Sequence, residues 1–154
     1  MKMWASKKGF TIIELLVSIV VIGILASITI ASYSDIQKSS RDSERGSDVI
    51  ALKIAIEKYY AENSEYPACS GVDDDTECSA GSLATLLAPY MASIPHDPQY
   101  ETDPTGDYMY IRGAIALPED PSSYGIKISY ESKAVCKTGN NIKTSWWGPE
   151  VPSC

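Results

Sequence analysis

An apolar run from Phe10 to Ser34 constrains this chain more than any other feature. The run is long enough for a transmembrane helix, which needs about 20 apolar residues. Glu14 is its only charged side chain, and a carboxylate at the bilayer centre costs roughly 2.5–3.5 kcal/mol. Glu14 is therefore a candidate functional residue. A secretory signal peptide cut after Ala31 is the alternative, but its apolar core would be shorter, roughly 7–15 residues.

Charge and proline divide the chain into an N-terminal arm and a C-terminal body. Lys2, Lys7 and Lys8 precede the apolar run, so the positive-inside rule predicts a cytoplasmic N-terminus and translocation of the remainder. All nine prolines lie at or after Pro67, which favours a long helical arm and a turn-rich body. The chain has 13 basic and 20 acidic residues, and this balance disfavours direct binding of nucleic acid.

All four cysteines lie in the translocated body, where disulfides are stable. Four cysteines allow three pairings, and we predict the sequential one, Cys69–Cys78 with Cys136–Cys154. A zinc site is the alternative, although the chain has no CxxC spacing and His96 is its only histidine.

The helical pattern continues beyond the apolar run to about Asn63. An apolar stripe recurs there at three- and four-residue spacing, formed by Val49, Leu52, Ile56 and Tyr59. The polar stretch Lys38–Asp48 is expected to separate the membrane segment from this docked part. Further on, Ser82 is predicted to cap a short helix, Leu83–Met91.

Three strands are predicted after that helix. Tyr108–Ile111 is short and aromatic, Tyr124–Glu131 alternates between apolar and polar residues, and Ile142–Trp147 alternates too. Turn residues at Pro118–Ser123 and Thr138–Asn141 separate them. We therefore predict an α+β fold, with a long N-terminal helix packed on a small antiparallel sheet.

Two local features of the body have competing interpretations. Trp146 and Trp147 would face opposite ways on a strand, so one of them would be an adhesive or subunit-contact surface, whereas packing against a disulfide loop is the favoured alternative. The acidic loop, with Asp73, Asp74, Asp75 and Glu77, lacks the order of an EF-hand and is predicted to be a solvated face.

The stretch "KKGFTIIELLVSIVVIGILASI" resembles the N-terminus shared by type IV pilins and the pseudopilins of type II secretion. The resemblance implies a leader at residues 1–9, an assembly helix at 10–34 and a pilin body at 35–154. It implies that a prepilin peptidase cleaves between Gly9 and Phe10 and methylates the Phe10 amine. That amine lies four residues before Glu14, on the same helix face, and the resemblance implies that Glu14 pairs with the amine of an adjacent subunit.

The segment around Pro95–Pro98 resembles the one that enters the sheet in major pseudopilins, where a nearby loop holds calcium. Asp97, Asp103 and Asp107 are the calcium candidates that this resemblance suggests, although no cofactor is the main expectation.

No catalytic constellation is readable, so the chain is not expected to be an enzyme. The family implies a structural subunit of a type IV pilus, held in the cytoplasmic membrane as a single-pass protein before assembly and located in an extracellular filament afterwards. Its partners would be copies of itself, other pilins, the peptidase and an inner-membrane assembly platform. The alternatives are a pseudopilin, a minor pilin for adhesion or DNA uptake, or an anchored binding module that never polymerises.

Overall fold

The structure, a computed structural model, describes residues 9–71, 73, 76–113, 123–143 and 145–154, with only the backbone described for residues 29–32. The leader before Gly9, Asp74 and Asp75 of the acidic loop, and the predicted turn at 118–122 lie outside the described residues. The chain divides into two compact units, Met1–Gln37 and Lys38–Cys154.

The main element is helix α1, Ile12–Asn63, which has 52 residues. No proline occurs in this range, so its backbone hydrogen bonds are not interrupted. After Asn63 the chain leaves the helix through Ser64, whose φ of 59° lies in the left-handed region. The Ser64 amide donates to the Tyr60 carbonyl at 2.8 Å, which satisfies one of the terminal acceptors.

Four short antiparallel strands form one sheet in the order β1-β2-β3-β4. They are β1 Cys78–Ser79, β2 Met109–Arg112, β3 Tyr124–Ile128 and β4 Cys136–Asn140. A 3₁₀ turn, Ala80–Leu83, and helix α2, Ala84–Leu87, follow β1, and a second 3₁₀ turn, Pro104–Gly106, precedes β2. The predicted α+β class, a long helix with a small antiparallel sheet, is confirmed.

The core lies between the sheet and the C-terminal half of α1. Its fully buried side chains come from every layer: Leu52 and Ile56 of α1, Leu83 and Leu87 of the segment after β1, and Tyr110, Tyr124, Ile126 and Ile128 of the sheet. The predicted stripe of α1 is thus core, because covering the sheet removes both apolar surfaces from water.

The prediction for the short helix was wrong in its cap and its length. Ser79, not Ser82, caps the segment, since its hydroxyl accepts from the Gly81 amide at 3.2 Å. The α-helical part is Ala84–Leu87 only.

The prediction of the last strand was also wrong. Cys136–Asn140 is β4, whereas the segment predicted as a strand, Ile142–Trp147, contains a turn that carries both tryptophans. A glycine at position 139 favoured the turn interpretation. In the structure Gly139 is paired with Gly125, where its lack of a side chain permits close approach of the Tyr124 carbonyl.

Both faces of β3 are covered, which a half-buried strand would not require. Ile126 and Ile128 face the core, while Gly125 lies under the two tryptophans. A Cβ at position 125 would come within 3.0 Å of the Trp147 ring and 3.2 Å of the Trp146 ring. The packing of the two tryptophans on β3 therefore requires glycine at position 125.

We expect Gly125→Ala to lower the free energy of unfolding by about 1–3 kcal/mol, because the added methyl overpacks the tryptophan contact. The direction of the change in unfolding free energy is informative, because alanine in a strand is otherwise favoured over glycine by roughly 0.5–1 kcal/mol. Thermal unfolding followed by tryptophan fluorescence measures the change. Gly106→Ala is the control, because the nearest atom to its added Cβ lies at 3.8 Å. Equal stability of the two variants would contradict the packing.

Candidate functional site

The N-terminus of α1 is closed by a capping box formed by Thr11 and Glu14. The Thr11 amide and the Thr11 hydroxyl both donate to Glu14 Oε2 at 2.8 Å, and the Glu14 amide donates to Thr11 Oγ1 at 3.2 Å. This arrangement satisfies donors at the helix start and places the carboxylate at the positive end of the helix dipole. Sequence reasoning missed Thr11, although a Thr-x-x-Glu pattern ahead of an apolar run is the usual signal for such a cap.

The predicted cleavage position lies immediately before this cap. Gly9 and Phe10 are both exposed, and Phe10 has 89% of its surface accessible. Among the described residues, none packs against the bond between them.

The first part of α1 presents an apolar surface all round. Its large apolar side chains are each about half exposed or more: Ile12, Ile13, Leu15, Leu16, Val17, Ile19, Val20, Val21, Ile22, Ile24, Leu25 and Ile28. Of the described helices, α1 alone is long and apolar enough to cross a membrane. The hydroxyls of Ser18 and Ser27 donate to the carbonyls of Glu14 and Ile24, so these polar groups are satisfied within the helix.

A buried ionic cluster holds the body to the second half of α1. We define the Arg45 cluster as Arg41, Asp42, Arg45, Asp97 and Glu131. Arg45 binds both oxygens of Asp97, with Nε to Oδ2 at 2.6 Å and Nη2 to Oδ1 at 2.9 Å. Its Nη1 reaches Asp42 at 2.7 Å and Glu131 at 3.0 Å. The Arg45 side chain is only 2% exposed, so these pairs are screened little by water.

Asp42 also connects the helix to the chain that follows β3. Its carboxylate accepts from the amides of Glu131 and Ser132, each at 2.9 Å, and from the Ser132 hydroxyl. Arg41 closes the cluster on its outer side, with a bidentate pair to Glu131 at 2.5 and 2.6 Å. Sequence reasoning placed Arg41, Asp42 and Arg45 in an undocked polar stretch, and this was wrong: docking begins at Arg41.

The cluster keeps Glu131 and Asp42 ionised. Hydrogen bonds from Arg41, supported by those from Arg45, lower the pKa of Glu131 to about 2. Burial by itself would raise the pKa of Asp42, but the hydrogen bonds from Ser132, Glu131 and Arg45 outweigh it and hold that pKa well below its usual value. A lowered pKa in the folded state stabilises the fold above the unfolded pKa, and this stabilisation is lost as the pH falls toward the folded value.

The three calcium candidates have different surroundings. Asp97 is bound to Arg45, and its Oδ1 also accepts from the Gln99 amide at 2.8 Å. Asp107 accepts from the Ser79 hydroxyl and the Asp97 amide and pairs with His96 at 2.9 Å. Asp103 is exposed and caps the turn at Pro104. Within the described ranges, no set of three or more His, Cys, Asp or Glu side chains is arranged to hold a metal ion.

Two disulfides tie down the remaining segments. They join Cys69 to Cys78 and Cys136 to Cys154, with Cα–Cα distances of 6.1 and 5.1 Å. The tail before Cys154 runs beside β4, where the Lys137 amide donates to the Pro152 carbonyl at 2.9 Å.

The tryptophan pair packs against the body. Trp146 is buried, and its carbonyl accepts from the buried Lys137 ammonium at 2.9 Å. The Trp147 indole N–H donates to Glu77, which belongs to the loop closed by the first disulfide. Lys127 lies 5.5 Å from the centre of the Trp147 ring. The packing interpretation of this pair thus describes the structure better than a free adhesive surface.

Comparison with known proteins points to the N-terminal segment. Residues 4–30 match the family described as the prokaryotic N-terminal methylation motif. Fimbrial protein EcpC of Eikenella corrodens is 35% identical over 88 residues, which are 57% of this chain and 53% of that protein. The chain therefore matches about half the length of this relative.

Other relatives include a secretion-system protein that aligns over more of the chain. Type II secretion system core protein G of Klebsiella pneumoniae is 32% identical over 115 residues, 75% of this chain and 69% of that protein. A fimbrial protein of Pseudomonas aeruginosa is 38% identical over 82 residues, 53% of each chain. No solved structure gives a significant match.

We expect Asp42→Ala to cost about 3–5 kcal/mol of stability, because it removes one partner of a buried ion pair and leaves the amides of Glu131 and Ser132 without their acceptor. Chemical denaturation of the full chain in detergent measures the loss. Glu44→Ala is the matched control, since Glu44 is an exposed acid on the same helix. A cost within that of the control would show that the cluster does not hold the body to α1.

Proposed function

Because this chain belongs to the type IV pilin and pseudopilin family, we propose that it is a structural subunit of a type IV pilus. The role is architectural rather than catalytic: the relatives are named as fimbrial proteins and as a core protein of a secretion system. The subunit polymerises through the apolar part of α1, and the body forms the filament surface.

The exposed apolar surface of α1 is the observation that carries this proposal. So large an apolar surface is stable in lipid or against other proteins, and not in water. The residues matched to the methylation motif include this surface and the Glu14 cap. Lipid covers this surface while the subunit lies in the membrane, and neighbouring helices cover it once the subunit is in the filament.

Processing creates a positive charge that can pair with the Glu14 carboxylate. A prepilin peptidase cleaves between Gly9 and Phe10 and methylates the new amine of Phe10. In the membrane an unpaired carboxylate is penalised, so a neighbour's Phe10 ammonium gains by pairing with it. The hydrogen bonds from Thr11 fall on Oε2, and we assign the neighbour's ammonium to Oε1. The pairing sets the register between adjacent helices.

The remaining partners and the location follow from that mechanism. The precursor lies in the cytoplasmic membrane with its N-terminus inside, and the body is translocated. An inner-membrane platform extracts the subunit and adds it, with other pilins, to an extracellular filament.

A pseudopilin of a type II secretion system is the second candidate. The length of the alignment favours it, since core protein G of Klebsiella pneumoniae aligns over 75% of this chain and EcpC over 57%. The two roles share the helix and its processing and differ in where the filament ends.

Glu14→Ala and Glu14→Gln separate charge pairing from helix capping. Glutamine can keep the capping hydrogen bonds but carries no charge. In cells with the native assembly machinery, we expect both variants to remain folded in the membrane and to be lost from filaments, with incorporation reduced at least tenfold. Glu44→Ala should assemble normally. Normal incorporation of the glutamine variant would assign Glu14 to capping alone.

The intact mass and the N-terminal sequence of the chain, recovered from sheared filaments and from membranes, test the processing and the type of filament. We expect a chain that begins at methylated Phe10 in the sheared fraction. The same chain confined to membranes, together with a loss of protein secretion on its deletion, would favour the pseudopilin. A chain that begins at Ser32 would mean signal-peptide removal and would overturn the proposal.

A further inference from the structure

The part of α1 that belongs to the body carries apolar side chains that the core does not use. Among the described residues after Gln37, the exposed large apolar side chains are Ile50, Ile54 and Val135. Ile50 and Ile54 are 61% and 52% exposed, and their four-residue spacing places them on one face of the helix. They lie outside the stripe that packs on the sheet, so folding of the body does not account for them.

These two side chains form a groove of about 480 Å³, which is lined by Ile50, Lys53, Ile54, Glu57, Lys58 and Ala61. Two of its charged groups are engaged within the body. The Lys53 ammonium donates to the Thr138 hydroxyl at 3.1 Å, and the Glu57 carboxylate accepts from the Tyr66 hydroxyl at 3.1 Å. The aliphatic side chains are left for a partner, so the groove suits an uncharged, apolar occupant.

The size of the groove decides what kind of partner can occupy it. Six residues line it, whereas a stable interface between two free proteins takes roughly 20–30 residues on each side. An occupant must therefore be held close by other contacts as well. In a polymer, a second copy of this chain is held in that way.

Growth of a filament also requires two different surfaces on each subunit. A surface that binds its own counterpart closes a pair, whereas a contact between two different surfaces repeats from one subunit to the next. The first part of α1 is one exposed apolar surface of this chain, and residues 15–34 contain no charged side chain. The groove is the second apolar surface, and it matches the first in its chemistry.

We infer that the groove receives the first part of α1 of a neighbouring copy, with Ile50 and Ile54 packed against its aliphatic side chains. The contact removes apolar surface of both copies from water. The inference rests on the proposed polymerisation and names the surface of the body that meets the apolar helix.

Ile54→Glu and Ile54→Leu test the groove in cells with the native assembly machinery. Leucine keeps an aliphatic side chain of the same size, so Ile54→Leu is the matched control and should assemble normally. We expect the amount of Ile54→Glu in sheared filaments to fall about fivefold or more, because burying a carboxylate without a partner is penalised. Both variants should keep the Tm of the unaltered chain in detergent, since substitutions at exposed positions usually change stability little.

Photo-crosslinking in assembled filaments identifies the occupant. With a benzophenone amino acid in place of Ile54, we expect a cross-link between two copies, which mass spectrometry maps to residues 12–28 of the second copy. The same probe in place of Val135, which is exposed but does not line the groove, is the control and should not label that segment.

Two results would overturn the inference. One is normal incorporation of Ile54→Glu, and the other is a cross-link from position 54 that reaches another protein, or the body of a second copy, instead of its apolar helix. The unaltered chain keeps these results separate from the proposed function. Its absence from sheared filaments would contradict polymerisation and, with it, the groove contact, whereas its presence beside a normally assembled Ile54→Glu would contradict the groove contact alone.

Discussion

The contact between Arg45 and its three acids connects segments that the small core alone would connect only weakly. The sheet has short strands, and the turn at Asp97 and the chain around Glu131 contribute few apolar side chains to the core. Charge-assisted hydrogen bonds are directional, so they fix the position of these segments on α1 as well as their proximity. Hydrophobic burial stabilises the body, and the cluster decides where on the helix the body begins.

One helix therefore presents two surfaces that need different partners. In its first part the apolar side chains point outward on all sides, and they must be covered by lipid or by other helices. In its second part the buried face carries Val49, Leu52 and Ile56, and the sheet covers it. The body buries most of its own apolar side chains, whereas the first part of α1 leaves its apolar side chains exposed. A polymer built on helix–helix contacts covers them.

The C-terminal tail covers the face of the small sheet that α1 leaves open. A single sheet packed on one helix leaves its other face to solvent, and here Trp146 and Trp147 cover β3 over Gly125. The second disulfide and the buried Lys137 hold that tail in place. Trp147 also contacts Glu77, so the two disulfide-closed segments stabilise each other.

The sequence alone was sufficient for the long helix, the apolar stripe, the β2 and β3 regions and the α+β class, because each depends on local periodicity and on the placement of proline. The special position of Glu14 was also readable, since one charge in an apolar run stands out. Its Thr11 cap was readable too, but it was missed. Only the tertiary structure decided that Cys136–Asn140, with its glycine, is a strand, because a sheet partner outweighs local turn preference. It alone brought Asp42, Arg45, Asp97 and Glu131 together, since ion pairs between residues far apart in sequence leave no periodic pattern to read.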